Sequence, residues 1–527
     1  MEAKTNPIID EMIAGYGPDF PSLEELFSMV PSEEKRRSMS SPISLLGRYG
    51  KSVEFMKDIT SGEAVSLYRF KVIKKYLVAL SEFLEEQDLP EDEKIIGRLS
   101  SEDIAAINKI GTTIDEVYQA EKIERFTEHD TAAAGDFIKL RIATELPHLA
   151  KDLEAVCFAE TSEDTMSITF GLIANELVFG HFFHSLAQFC LEAMYFIDRH
   201  EENGPLVLPE LTHLQAAEPT TLRIKFVIRI NAIMELMQQM DRQFSGKMGG
   251  AIGNLTCHYA AYPEIDWHSF SKNYVESFGL HYEEWTDQCV SYANEADIFN
   301  KMSNILSQVI KLTEDFVRMA SCPAQLFIKK KKKGTKGSSI MPNKSNAWAM
   351  EGAVVMLKKA QNSLLFLAKE LPNYPHAGNM GRSFLFREIG TDLMPIFIAL
   401  GRISDEMNKY VPCPEKISAF FDEYPGMSGS SLQTVLKSLR IPGDAYRVIQ
   451  EIAINPDGSY AKNDEFKSGL EEKMEVLGLD NVVKDKLRQL LDPAYLVKPA
   501  HAMALIKSQE LRSFFSANEH WAVIKYM

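Results

Sequence analysis

The sequence predicts an all-α protein. In one long segment Met302, Ile305, Val309, Leu312, Phe316 and Met319 recur at alternating spacings of three and four, and Ile233, Leu236, Met240 and Phe244 repeat the pattern in another. Such spacing lays a continuous apolar stripe along one helix face and suits near-parallel packing in a helical bundle. Runs of alternating β-branched residues, which would mark half-buried strands, are few.

Taken in order, the chain opens with forty residues that hold Gly17-Pro18, Pro21 and the polar run 31–41, and these read as an appended arm. Thr161-Ser162-Glu163-Asp164 has the form of a helix start, an N-cap hydroxyl followed by acidic residues in the first turn. The most apolar stretch, 170–197, carries Asn175, Glu176, His181, His184, Gln188 and Glu192, so it reads as a core helix and not a membrane span. Asn203-Gly204-Pro205 is a turn, and Pro209 to His213 follow it. Lys329 to Lys333, then Gly334 to Ser339, cannot be regular helix and read as a basic loop. Helical pattern resumes at Asn346 and runs to Leu371. Pro372, Pro375 and Gly378 open an irregular stretch, and Asn455-Pro456-Asp457-Gly458 is a further turn.

Composition narrows the function. With 527 residues, 45% of them hydrophobic, the chain can build more than one core. A net charge of −17 disfavours nucleic acid and anionic membrane as partners, and an anionic substrate would need a local basic pocket. Cys157, Cys190, Cys257, Cys289, Cys322 and Cys413 form no CxxC and no His/Cys cluster of metal-ligand spacing. They are expected to be free thiols in a reducing compartment, with no bound metal. Met1 to Ala14 lack a basic region followed by an apolar one, so no secretory signal is expected and a cytoplasmic location is.

Three segments carry chemistry. Gly337-Ser338-Ser339-Ile340-Met341-Pro342-Asn343-Lys344-Ser345-Asn346 gathers hydroxyls, an ammonium and an amide that can together hold a carboxylate, and its glycine lets it move as a lid. The residue types are equally compatible with a polar surface loop. Thr161 and Ser162 lie where a helix N-terminus can bind an anion, although an ordinary helix cap has the same pattern. His213 follows a turn and, taken alone, is an unremarked surface or core histidine.

The order of these three segments, with Glu351 five residues after Asn346, resembles the fumarase/aspartase superfamily, whose signature is Gly-Ser-Ser-x-Met-Pro-x-Lys-x-Asn. Within it the chain most resembles the bacterial type of the adenylosuccinate lyase family. Ser41-Pro42-Ile43 with Gly47-Arg48-Tyr49-Gly50, Glu128-His129-Asp130, the glycine-rich 246–254 and the stretch 258–267 carry that likeness, which spans about residues 41–510. The resemblance implies a three-domain fold with a long central helical bundle, four copies of which form a twenty-helix core. The expected divisions are an arm at 1–40, an N-terminal helical domain at 41–148, the bundle at 149–414 with its signature loop at 329–346, and a C-terminal helical domain at 415–527.

The same resemblance implies β-elimination of fumarate from adenylosuccinate and from the succinylated imidazole carboxamide ribotide of purine synthesis, without cofactor, in a homotetramer whose sites draw on three subunits. Ser338 would be the base and His213 the acid. Thr161, Ser162, Lys344 and Asn346 would hold succinyl carboxylates, with Ser339 and Met341 beside them. Arg48, Tyr49, His129, Asp130, Gln288, Ser383 and Arg387 would hold the nucleotide, with Arg382 near its phosphate. Departures from the family pattern gather around this pocket: Glu128 for Asn, Leu211 for Arg, Glu218 near the acid, Ala347 for Pro, and Gly378 and Arg382 where an Arg and an Asp are usual. Glu218 would raise the pKa of His213 if it pointed inward. The competing readings are a lyase for a different succinyl adduct and a catalytically silent structural tetramer. The lysine run is either a steering patch for a polyanion or a solvated insertion.

Overall fold

The computed structural model describes residues 43–374 and 376–519 and, ahead of them, Pro18 alone. The expected arm at 1–40 otherwise lies outside the described residues. The helices that matter here are α1 (Gly62–Glu85), α2 (Ile114–Thr127), α3 (Asp130–Glu145), α4 (Ser162–Asn175), α5 (Phe183–Glu201), α6 (Leu222–Gln238), α7 (Ala293–Ala320), α8 (Trp348–Glu370), α9 (Gly381–Met407), α10 (Gly429–Ser438) and α11 (Pro493–Glu519). The protein is all-α, with 68% of it helical.

The stripe read from 302–319 is the buried face of α7. All of its members are buried, and the Phe316 ring packs edge-on against Phe196 at 5.6 Å and Tyr410 at 5.5 Å. α8 packs along both α7 and α9, α6 packs on α7, and α5 packs on α9. These are the bundle that the spacing implied. The second stripe overran its helix: α6 stops at Gln238, and Met240 and Phe244 enter the core from irregular chain. Those two positions therefore recorded burial and not helicity. α4 runs through a π-helical turn, Glu176–Phe182, into α5. This path is long and apolar enough to cross a membrane, but 78% of its most apolar window is buried inside the protein. Its polar Asn175 caps no lipid-facing surface and accepts the Phe244 N–H at 2.8 Å.

Among the described residues the apolar side chains gather in three cores. The largest joins α4 to α9 and takes in Leu511 and Phe515 of α11, so the last helix returns to the bundle. A second core joins α1, α2 and α3 to residues 248–280, which sit in sequence between central helices. A third holds α10 and the helices after it, Leu432 to Leu490.

Among the described residues the strands form three two-stranded pairs, two of them short, Ser245–Gly246 with His281–Tyr282 and Phe327–Lys329 with Tyr410–Pro412. Val207–Thr212 (β1) and Gln215–Thr221 (β2) form an antiparallel hairpin, with an irregularity between Pro209 and Leu211. Pro209 lies opposite Pro219, so neither residue there can donate to the ladder. The hairpin turns through His213 and Leu214, both left-handed at φ 52° and 62°.

Phe316→Ala removes a ring from the centre of the bundle, and the loss of transfer energy plus the cavity should cost about 3–5 kcal/mol. Thermal melting followed by circular dichroism should show a clearly lowered midpoint; an unchanged midpoint would mean that α7 does not bear the core.

Candidate active site

The signature loop leaves strand Phe327–Lys329 and enters α8 at Trp348. It is folded on itself. The Ser338 Oγ accepts from the backbone N–H of Ile340 at 3.4 Å and of Met341 at 3.1 Å. The Asn346 amide donates to the Gly337 carbonyl at 3.4 Å, and the Lys344 N–H donates to the Met341 carbonyl at 3.2 Å. A Cβ on Gly337 would stand 2.0 Å from the Lys344 carbonyl oxygen, so only glycine allows the two ends of the motif to meet. Ser339, Met341 and Lys344 are exposed and Ser338 is half-buried. Among the neighbouring lysines, Lys329 is paired with Glu406 while Lys330 points outward from a backbone bond to the Lys409 carbonyl.

Arg48 and Tyr49 meet the far end of this loop. The Arg48 guanidinium lies 5.8 Å from the Trp348 ring centroid and Arg402 lies 5.1 Å from the same ring. Arg402 also stacks on Tyr49 and donates to its hydroxyl. Trp348 and Arg402 were not singled out from the sequence; a Trp at the first position of a helix that follows the signature was the signal available.

A second group forms where α3, α4 and α9 begin. Asp130 accepts from Arg69 of α1 at 2.7 Å and from Arg387 of α9 at 2.6 Å. Burial pushes its carboxyl up, but Arg69 and Arg387 prevail and hold it below the usual range. His129 caps α3, its Nδ1 accepting from the Ala132 N–H at 3.4 Å, which leaves Nε2 as the imidazole donor. Thr161 caps α4, and the Thr161 N–H donates to Asp164 at 2.9 Å. His129, Thr161 and Ser162 line one cavity of about 730 Å³. The first turns of α3 and α4 thus open on a common space, where the helix dipoles favour an anion.

Arg382, expected near the phosphate, is engaged elsewhere. It is 5% exposed and forms a two-pronged pair with Glu163, Nε to Oε1 at 2.9 Å and a second nitrogen to Oε2 at 2.7 Å. Ser383 lies in the first turn of α9, half-buried. Gly378 also gains a reason: a Cβ there would fall 1.8 Å from the Gln288 Oε1. The missing side chain at 378 is what lets Gln288 occupy its place, and no arginine could stand at that position without displacing it.

His213 sits at the exposed tip of the hairpin. Glu218 does not serve it: the Glu218 carboxylate accepts from the Ser430 hydroxyl of α10. The neighbouring Gln215 accepts from the Tyr460 hydroxyl at 3.1 Å, so the hairpin is fastened to the third core.

Comparison with known proteins shows the family and the fold. Residues 47–361, more than half of the chain, match the model of a family described as lyase. The adenylosuccinate lyase of Dictyostelium discoideum is 27% identical over 416 residues, covering 78% of this chain and 87% of its own. That of Escherichia coli K12 is 27% identical over 371 residues, covering 68% and 76%. Among solved structures, a fumarate lyase from Mesorhizobium sp. BNC1 superposes with a TM-score of 0.63 at 13% identity, covering 86% of this chain and 97% of that one. A 3-carboxy-cis,cis-muconate lactonizing enzyme from Pseudomonas putida gives 0.57 at 17%, covering 88% and 97%. At these identities the structures speak for the fold.

Removing one partner of the buried Arg382–Glu163 pair should be far worse than removing both. Arg382→Met should cost about 3–5 kcal/mol in equilibrium denaturation, because it strands Glu163, whose carboxyl burial already pushes up even against the pull of Arg382. The double variant Glu163→Leu/Arg382→Met should recover most of that loss. Equal stability of the single variant and the native protein would show that the pair is not desolvated.

Proposed function

The chain belongs to that lyase family, and we propose that within it the protein eliminates fumarate from adenylosuccinate, giving AMP, and from the succinylated imidazole carboxamide ribotide. One observation carries the chemistry: Ser338 is held in a loop whose own backbone N–H groups, from Ile340 and Met341, point at its Oγ. A serine hydroxyl is a poor base unless its alkoxide is stabilised. Hydrogen bonds from these two N–H groups favour the charged form of the hydroxyl. The remainder falls to Lys344 when the loop closes over substrate.

On this reading Ser338 removes the Cβ proton, and the resulting carbanion is held as an aci-carboxylate by Thr161, Ser162, Lys344 and Asn346. His213 protonates the departing nitrogen, for which an imidazole near neutrality is suited. The nucleotide is held by Arg48, Tyr49, His129, Asp130, Gln288, Ser383 and Arg387. The guanidinium groups of Arg387, Arg48 and Arg402, the last two both over Trp348, supply the basic character that a polyanion needs in a chain of net charge −17.

The site is shared between copies, in a cytoplasmic homotetramer. His213 and the signature loop stand at the surface of the single protomer, on separate elements. Large apolar side chains on the bundle, Val355 and Phe366 of α8 and Phe384 of α9, are exposed there too. Burying these against other copies covers the apolar surface and gives the acid and base a water-poor setting. The names of the relatives favour the purine substrate over another succinyl adduct.

Purified protein incubated with adenylosuccinate, and separately with the imidazole ribotide, should release fumarate, while argininosuccinate should release none. Ser338→Ala and His213→Ala should each lower turnover by at least about a hundredfold with the oligomer intact by light scattering. Release from argininosuccinate alone would redirect the substrate assignment, and full activity of Ser338→Ala would remove it as base.

A further inference from the structure

Two cations beside the signature loop have no acid to balance them. Arg48 lies in the short helix Ser44–Tyr49, and Arg402 lies in the last turns of α9. Their guanidinium groups border the same two rings. That of Arg402 is 4.9 Å from the Tyr49 centroid and 5.1 Å from that of Trp348, and that of Arg48 is 5.7 Å and 5.8 Å from them. Among the described residues neither is ion-paired. The partner that helix geometry offers Arg402 is Glu406, one turn on. Glu406 is buried and takes Lys329 at 2.5 Å and Lys409 at 2.9 Å instead. Glu54, which follows Arg48 by under two turns, is paired with Lys57 at 3.2 Å. Two like charges gathered at one place repel, and contact with the rings offsets that only in part.

Arg402 is also held in one orientation. It donates to the Tyr49 hydroxyl and, at 3.5 Å, to the Ala349 carbonyl in the first turn of α8. Its Nε is shut off from solvent with no partner, so a ligand meets the terminal nitrogens. Arg48 is exposed and Trp348 is 47% exposed, which leaves the surface around the pair open. Trp348 stands two residues after Asn346, where the signature motif passes into α8. Two guanidinium groups match the charge of a phosphate dianion, and the planar fork of each can bond two of its oxygens. A carboxylate carries half that charge, and the carboxylates of the proposed substrate already have Thr161, Ser162, Lys344 and Asn346.

We propose that Arg402 is a phosphate-binding residue of the nucleotide site: with Arg48 it takes the phosphate of the substrate, and Tyr49 and Trp348 hold the guanidinium groups in place before the substrate arrives. This rests on the purine-nucleotide reading above. It makes the site select the phosphorylated nucleotide over the bare nucleoside. No bond or proton changes at Arg402, and its restraint by Tyr49 and Ala349 lowers the ordering cost of binding.

The test uses AMP and adenosine, which need no turnover, with the full-length protein and calorimetry. Native protein should bind AMP more tightly than adenosine. Arg402→Gln should weaken AMP by about tenfold or more and leave adenosine within about twofold, with the oligomer unchanged by light scattering. Arg402→Lys keeps the charge but not the fork, so it should recover only part of the AMP affinity; it decides the question if the glutamine variant does not fold. AMP should also alter the native tryptophan emission, and Trp348→Phe should abolish that change. Equal losses for AMP and adenosine would reduce Arg402 to a structural role. That result, unweakened AMP binding by Arg402→Gln, or a native protein that binds AMP and adenosine alike would each overturn the proposal. The substrate reading fails separately: native protein that releases no fumarate from the purine substrates, yet binds AMP through Arg402, would leave the phosphate site standing without it.

Discussion

The arrangement of the candidate site depends on the buried carboxylate of Asp164. It is fully buried and accepts from the Thr161, Gly249 and Gly250 N–H groups, and its Oδ1 is 2.8 Å from the Lys247 ammonium. Those partners tie the first turn of α4 to a glycine-rich segment some eighty residues later in the chain. With α4 fixed at its start, Thr161 and Ser162 face the cavity and Glu163 is placed to take Arg382 of α9. Arg387, little more than one helical turn along, then reaches Asp130 at the start of α3. Three helix beginnings are thereby locked to one another through acidic side chains that would otherwise repel the anion that the helix ends attract. The basic residues quench those acids, so the three helix starts are held together without a net excess of negative charge between them.

Much of this was legible in the sequence, for physical reasons that differ from element to element. The α7 stripe was plain because each apolar residue repeats at helical period and each is buried. The signature loop was plain because a glycine, a proline and several polar side chains in succession cannot be helix. The hairpin was hidden. Prolines at 209 and 219 interrupt the alternation that marks a strand, and its turn uses His213 and Leu214 where Asn or Gly would signal it. The placement of residues 248–280 in the core of α1, α2 and α3 was hidden too, since local periodicity does not tell a helix which partner it will find.

Within the site, residue types were legible and partnerships were not. Thr161-Ser162-Glu163-Asp164 reads as a helix cap, and it is one, but the local pattern does not reveal that Asp164 binds residues 247–250 or that Glu163 takes Arg382. Glu218 looks threatening beside His213 until its bond to Ser430 is seen. Gly378 looks like a lost arginine until Gln288 is found in the space that a side chain would need. Both departures are therefore accounted for by neighbouring side chains, and the Glu218 carboxylate is bound to Ser430 and not turned to His213.

The hairpin tip shows how structure and the proposed chemistry bear on one another. Left-handed backbone at a non-glycine residue costs about 1–2 kcal/mol, and here two such residues stand in succession. The protein holds them there by fastening the flanks, Gln215 to Tyr460 and Glu218 to Ser430, onto the third core. A histidine needed only for stability would gain nothing from that expense, because at the tip it packs on little. A histidine that must project from one copy into a site built by others needs a rigid arm of this kind. The hairpin gives that arm more stiffness than an open loop of the same length, which suits the proposed meeting of imidazole and serine across a subunit boundary with little loss of order at the moment of reaction.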